Sequence, residues 1–289
     1  MIARKRNGDN VEVYDAQCGL IKFLYTNCFG RVLLSLLVKP PVSRLVGHFM
    51  DSAFSKFMIK SFIRNNNIDL SQYQKQEFSS YNDCFCRKIK PQFRPFDDES
   101  SHLVSPCDAK LTICNINADA KFDIKGHKYT LSELLKDEKL AKHYDGGKLA
   151  IFRLSVDDYH RYSFFDSGKI ISQKKISGVF HTVNPLAVSL RPIYKENTRT
   201  YSVLETQNFG EAIQMEVGAL LVGRIVNESL NADAHFNRGD EKGHFEFGGS
   251  TVILIFGKDA VTFDDDIEKN SSEDIETIVK MGERIGRSK

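Results

Sequence analysis

Four short strings in this 289-residue chain pair a turn-forming backbone with a side chain that can act as nucleophile or move a proton. SPCDAK places Asp108 just beyond Pro106, DDYHRYS sets His160 among acids and aromatics, FHTVNP puts His181 before Asn184-Pro185, and GGST supplies Ser250. Singly, each is ordinary: an Asp in a turn usually caps it, and a lone His is usually a satisfied polar residue. Together Asp, His and Ser suggest a hydrolytic triad, but the Gly-x-Ser-x-Gly elbow is missing, because Ser250 runs on into Thr251-Val252 and a strand. What Gly249-Ser250 does permit is attack by the hydroxyl on its own preceding carbonyl, since the glycine gives steric access and lets the peptide bend.

The segment carrying Ser250 is GHFEFGGSTVILIF, Gly243 to Phe256. Phe245 and Phe247 alternate with polar neighbours and Val252 to Phe256 is a continuous apolar run, so Gly248-Gly249-Ser250-Thr251 interrupts a core strand. Such a break marks a bulge or a place where backbone must come close to another group. Beyond residue 100, runs such as LTICNI, KLAIFRLS, YSVLET and IQMEVGALLVGRIV alternate with Gly, Asn and Asp turns, which predicts a β-rich body. One helical insertion is expected over Leu131 to His143, and Ile275 to Ile285 carries apolar residues at loose helical spacing.

Upstream, residues 20–38 read as a helix that stops at Pro40-Pro41, and Ser43 reads as the cap of a second helix. That second helix is amphipathic: Leu45/Val46, Phe49/Met50, Ala53/Phe54 and Phe57/Met58 share one face, and Arg44, Lys56, Lys60 and Arg64 lie on the other. It either packs on its own domain or lies on an anionic bilayer, and both readings stay open on pattern alone. A further helix is expected over Tyr81 to Ile89, ending before Pro91.

Lys and Arg number 40 against 38 Asp and Glu, a net +2 that excludes the strongly basic field of a dedicated nucleic-acid binder. The charge is uneven, with ten Lys/Arg and four Asp/Glu in residues 1–66 and a mildly acidic remainder. Lys22, Asn27 and Arg31 interrupt the apolar stretch Leu20 to Val38, so no spanning helix is expected, and MIARKRNGDN lacks the apolar core of a secretory signal. Six scattered cysteines without a Cys-x-x-Cys pattern predict free thiols in a cytosol-facing protein and no metal site.

Seven strings, in order, resemble the phosphatidylserine decarboxylase family of pyruvoyl-dependent, self-cleaving proenzymes: FCRKIKPQFRPF, LVSPCDAKL, FDIKGHKYTLSELL, DYHR, FHTVNPLAV, EVGALLVGRI and GDEKGHFEFGGSTVILIF. The resemblance implies an α+β fold with an antiparallel sheet core, N-terminal amphipathic helices and peripheral helices. It divides the chain into a membrane-associating segment, residues 1–66, and a catalytic domain, residues 67–289. It also implies cleavage between Gly249 and Ser250, giving a β chain of residues 1–249 and an α chain of residues 250–289. Ser250 would attack the Gly249 carbonyl to form an ester, β-elimination would release the upstream carboxylate, and hydrolysis with loss of ammonia would leave a pyruvoyl group. That cofactor would hold the amine of phosphatidylserine as a Schiff base, accept the electrons of decarboxylation and yield phosphatidylethanolamine and CO2. The implied setting is the cytoplasmic side of the cell membrane, on an anionic surface, as a peripheral protein and a possible homodimer.

Asp108 matches the family's aspartate of the charge-relay set that matures the proenzyme, and His160 matches the first histidine of Asp-Tyr-His-Arg-x-His. The second histidine, the implied base for self-cleavage, is replaced by Ser163. His160 serving both steps, Ser163, His181 or His244 substituting, and Asp108 with backbone strain alone all stay open as routes to maturation. Ala109 also replaces the family's usual glycine after Asp108. Two alternatives stand beside this reading: a catalytically silent lipid-binding homologue, and a pyruvoyl decarboxylase for another amino-acid-like substrate.

Overall fold

A computed structural model describes residues 2–12, 18–124, 126–220, 224–228, 231–248 and 250–289. Strand Ser250–Phe256 is buried at every position because both of its faces are covered. Val252, Leu254 and Phe256 pack with Leu111, Phe152 and Leu154 in one apolar layer, whereas Ile253 and Ile255 join Ile151, Ile213 and Met215 in the other. Successive side chains alternate between faces, so double coverage makes the run apolar throughout.

This strand lies inside a ten-stranded sheet, paired antiparallel to Gly210–Val217 on one side and Lys148–Leu154 on the other. Outward from Lys148–Leu154 come Ala109–Asn115, Glu276–Val279, Ile2–Lys5 and Asn10–Glu12. On the opposite side come Arg199–Thr206, Gly168–Ile176 and His235–Phe236. The ladders are antiparallel except for Ile2–Lys5, which runs parallel to Glu276–Val279. The α+β class with an antiparallel sheet core is therefore as expected.

The helical expectations need correction. Residues 20–38 form two helices, α1 (Cys18–Thr26) and α2 (Cys28–Leu37), bent by 97° where the Asn27 side chain accepts from the Phe29 and Gly30 amides. A Cβ on Gly30 would lie 2.1 Å from the Phe23 carbonyl oxygen, so glycine is what lets α2 fold back this closely. Pro40 and Pro41 open helix α3 (Pro40–Asp51), so Ser43 lies inside it and caps nothing; proline suits a first turn, where its missing N–H is no loss. The long amphipathic helix is likewise broken, into α3, a 3-10 segment Ala53–Met58, and α4 (Ile59–Asn65).

The helix at Tyr81 ends at Phe85, and Ile89 instead bridges to Tyr73. Leu131 to His143 is two short helices, because Lys136 adopts a left-handed conformation and Asp137 caps the second. Ile275 to Ile285 is not helical at all: it contains strand Glu276–Val279 and the start of Arg284–Ser288.

A candidate active site at the head of the central strand

Ser250 opens the central strand, is fully buried, and its Oγ has no hydrogen-bond partner among the described residues. A buried hydroxyl left unpaired costs about 1–3 kcal/mol, a cost that Ser250 shares with Ser43 and with its neighbour Thr251. Upstream, Gly248 holds a φ of 130°, open to glycine and strained for other residues. Gly249, the other half of the expected cleavage site, lies outside the described residues.

The approach to Ser250 rests on the helix Tyr81–Phe85. The Phe247 N–H donates to Asn82 Oδ1 at 3.1 Å, and the Phe247 ring meets Tyr81 and Phe85 edge-on at centroid distances of 4.9 and 5.6 Å. Phe85 also packs on the His160 ring at 4.1 Å, so one aromatic cluster supports both the loop before Ser250 and His160. Phe62 of α4 joins it, which connects the N-terminal helices to the site.

His160 is fully buried, with Nδ1 against the Asp158 carbonyl at 2.9 Å and Nε2 unpaired among the described residues. Nδ1 therefore carries the proton and donates, leaving Nε2 as a free acceptor. Burial, reinforced by the Arg87 charge, pushes this imidazole down to about 3 and keeps it neutral.

Asp108 precedes strand Ala109–Asn115, which lies two strands from Ser250: Lys110 pairs with Arg153, and Arg153 pairs with Thr251. Two strand spacings put their axes ~10 Å apart. Its carboxylate is engaged by cations and not by a histidine. Arg94 chelates both oxygens, Nε at 2.7 Å; the Met281 N–H donates at 2.9 Å, and Lys280 Nζ lies at 3.4 Å. Burial opposes its ionisation, but Arg94, Lys280 and the Met281 amide together hold the carboxyl below its ordinary value.

The remaining candidates occupy separate places. Ser163 is buried on strand Arg161–Ser163, its hydroxyl donating to the Pro106 carbonyl at 3.3 Å, two residues from Asp108. His181 is held by Tyr25 of α1, whose hydroxyl lies 3.0 Å from Nδ1, and burial pushes it down to about 4. His244 sits on strand Glu241–Phe245, also lowered to about 4 by burial and then by Arg161, with Nδ1 unpaired among the described residues. Arg94, Phe85 and Phe247 received no role from sequence. Arg94 stands in one family-like string with Phe85, and a cation near a turn aspartate was the available signal.

The site thus combines a buried Ser250 at a strand start preceded by Gly248, its hydroxyl without a partner among the described residues, a buried neutral His160 and a cation-bound Asp108. Residues 81–287 match the family model for phosphatidylserine decarboxylase. The chain is 46% identical over 286 residues to the phosphatidylserine decarboxylase proenzyme 2 of Clostridium acetobutylicum, covering 98% of this chain and 97% of that one. It is 45% identical to the corresponding proenzyme of Ruminiclostridium cellulolyticum (92% and 90% covered) and 42% identical to that of Clostridium perfringens (92% of each). The chain belongs to the phosphatidylserine decarboxylase family.

Proposed function

We propose that this protein decarboxylates phosphatidylserine to phosphatidylethanolamine at a membrane surface, using a pyruvoyl group made from its own Ser250. The observation that carries the reading is the fully buried Ser250 Oγ, without a partner among the described residues, at the head of the central strand. Maturation needs that hydroxyl free to attack the carbonyl of residue 249, and no hydrogen bond from the described residues detains it. His160 Nε2 is a neutral acceptor available for the hydroxyl proton, and Asp108, locked to Arg94, contributes fixed negative charge nearby. Once formed, the pyruvoyl carbonyl supplies the electron sink that decarboxylation of an amino acid requires. Residues 250–256, paired on both sides, would anchor the new terminus in the sheet.

The N-terminal helices support a surface-bound enzyme. Phe29, Phe54 and Phe57 are 82%, 83% and 76% exposed, and Leu36 and Leu45 stand out beside them. Arg31, Lys39, Arg44, Lys56 and Lys60 on the same N-terminal segments are exposed as well, as suits insertion beneath anionic headgroups. Among the described residues no single helix is long and apolar enough to cross a membrane.

Intact mass under denaturing conditions tests the reading. Two fragments split before Ser250, the smaller one blocked to Edman degradation, are expected, with a single uncut chain for Ser250→Ala. Phosphatidylserine vesicles should gain phosphatidylethanolamine only with the cut protein. A wild-type chain that persists uncut would refute self-processing, and a cut protein inactive on those vesicles would refute the substrate.

A further inference from the structure

Residues 2–12 fold as a hairpin whose side-chain contacts to the rest of the protein converge on residues 264–284. Accepting the cut before Ser250 proposed above, this hairpin belongs to one product chain, and the strand and side chains it pairs with among the described residues belong to the other. The C-terminal product has only 40 residues, near the lower limit at which a chain holds a core unaided.

The grip is specific. Ile2–Lys5 pairs in parallel with Glu276–Val279, Arg4 lying opposite Thr277, and Ala3 is fully buried. On its other side Glu276–Val279 pairs with Ala109–Asn115, again through three residues. Without residues 2–5 it would be a short edge strand held from one side only. Arg4 Nη1 donates to Asn270 Oδ1 at 2.7 Å and to Glu273 at 2.9 Å. Arg6 binds Asp266 through Nε at 2.5 Å and Nη2 at 3.0 Å, Asp264 at 2.9 Å, and the Arg284 carbonyl at 2.6 Å.

The contact continues toward the candidate site. Arg6 Nη1 lies 3.5 Å from Glu283, whose other carboxylate oxygen accepts from the Lys280 amide at 2.9 Å. The turn so held is the one that presents Lys280 and the Met281 N–H to Asp108.

We infer that the N-terminal hairpin is an interchain clasp: it retains the distal half of the C-terminal chain after cleavage and holds the Lys280–Met281 turn against Asp108. The clasp is separate from the central strand Ser250–Phe256, which has its own partners on both sides. Loss of the clasp should therefore loosen residues 276–288 and leave residues 250–256 unchanged.

The test uses wild type, Arg4→Ala/Arg6→Ala and Arg4→Lys/Arg6→Lys, each full length. Intact mass first records whether the chain is cut, which judges the processing reading alone. Hydrogen exchange is then followed peptide by peptide, and release of the 250–289 fragment is followed by native mass spectrometry through a urea series. The double alanine variant is expected to exchange roughly tenfold faster across 276–288, with 250–256 unaffected, and to release the fragment at lower urea. The double lysine variant should fall between it and wild type. Unchanged exchange over 276–288 would overturn the clasp, as would equal loosening of 250–256. If the double alanine variant fails to accumulate, Arg4→Ala alone carries the same exchange test. An uncut chain would defeat the two-chain premise and still leave the exchange measurement to judge the contact.

Discussion

Removing Arg94 should be the most damaging single change at the Asp108 anchor. The Asp108 side chain is 2% exposed, and Arg94 provides two of its four charged or amide contacts, the closest of them. Arg94→Ala leaves the Met281 N–H and Lys280, whose side chain is half in solvent and 3.4 Å away. Breaking a buried pair by deleting one partner costs about 3–5 kcal/mol, and the two surviving contacts favour the lower end, about 3 kcal/mol. The loss should depend on pH with a definite sign. In the native protein the Asp108 carboxyl titrates below its ordinary value, so its stabilisation is complete above the unfolded value near ~4 and fades as pH falls through the folded one. The Arg94→Ala deficit should be full at pH 7, shrink as pH falls below about 4 toward the lowered native value, and vanish only where Asp108 is protonated in both proteins.

Urea unfolding measures this best in a Ser250→Ala background, where one covalent chain unfolds and fragment concentration plays no part. In the Ser250 protein, the same substitution should slow fragment formation. A deficit below about 1 kcal/mol at pH 7 would refute the assignment of Arg94 as the anchor of Asp108. A deficit of undiminished size at acid pH would show that packing, not charge, was lost.

His160 titrates at about 3 when folded against 6.5 unfolded, so it should reduce stability as pH falls from 6.5, by about 1.4 kcal/mol per pH unit until the folded value is reached. His160→Gln should flatten that slope in acid urea titrations. Phe85→Ala, which strips the ring packed on His160, should cost about 3–5 kcal/mol, and NMR titration should find the imidazole shifted back toward 6.5. Ser163→Ala should leave the rate of fragment formation within about twofold, because among the described residues that hydroxyl donates to Pro106 alone and losing one such bond costs about 1 kcal/mol; a strongly slowed time course would assign Ser163 a part in maturation. Phe54→Ser/Phe57→Ser should cut sedimentation with anionic vesicles by tenfold or more, since each buried Phe contributes about 1.5–3 kcal/mol, without altering turnover in detergent micelles.

The parts of the fold legible in sequence were those whose burial is written locally. Val252 to Phe256 reads as a core strand because every residue is apolar, and the sheet covers it on both faces. Residues 2–12 and 276–288 were not legible, because their partners are remote in the chain. Ala3 is buried only where Glu276 comes alongside, so a polar-looking stretch becomes a strand through pairing that no local window contains. Thr277, Ile278 and Val279 are β-branched, a signal that outweighs loose helical spacing once Leu111 and Arg4 stand opposite Thr277. Pro40-Pro41 carried two meanings, the end of one helix and the first turn of the next, and sequence reasoning took only the first.

The candidate site shows the same division. Ser250, His160 and Asp108 announced themselves by type and by family-like strings, but what makes each distinctive lies in neighbours far along the chain: Phe85 and Phe247 for the loop and the imidazole, Arg94 and Met281 for the carboxylate. Asp108 is saturated by Arg94, Lys280 and an amide, so in this conformation it acts as fixed charge and orients no imidazole. Position 163, where the resemblance expects a histidine, touches Pro106 in the same turn, so an imidazole there would begin within two residues of Asp108. With serine in that place, His160 Nε2 is, like His244 Nδ1, a buried imidazole nitrogen without a partner among the described residues, and His160 is supported by the same Phe85 that supports the loop leading to Ser250. We therefore propose His160 for both steps in preference to His181, whose Nδ1 is engaged by Tyr25. A time course of fragment formation in His160→Ala and His181→Ala proteins should show cleavage abolished in the first and retained in the second, and the reverse pattern would overturn the assignment.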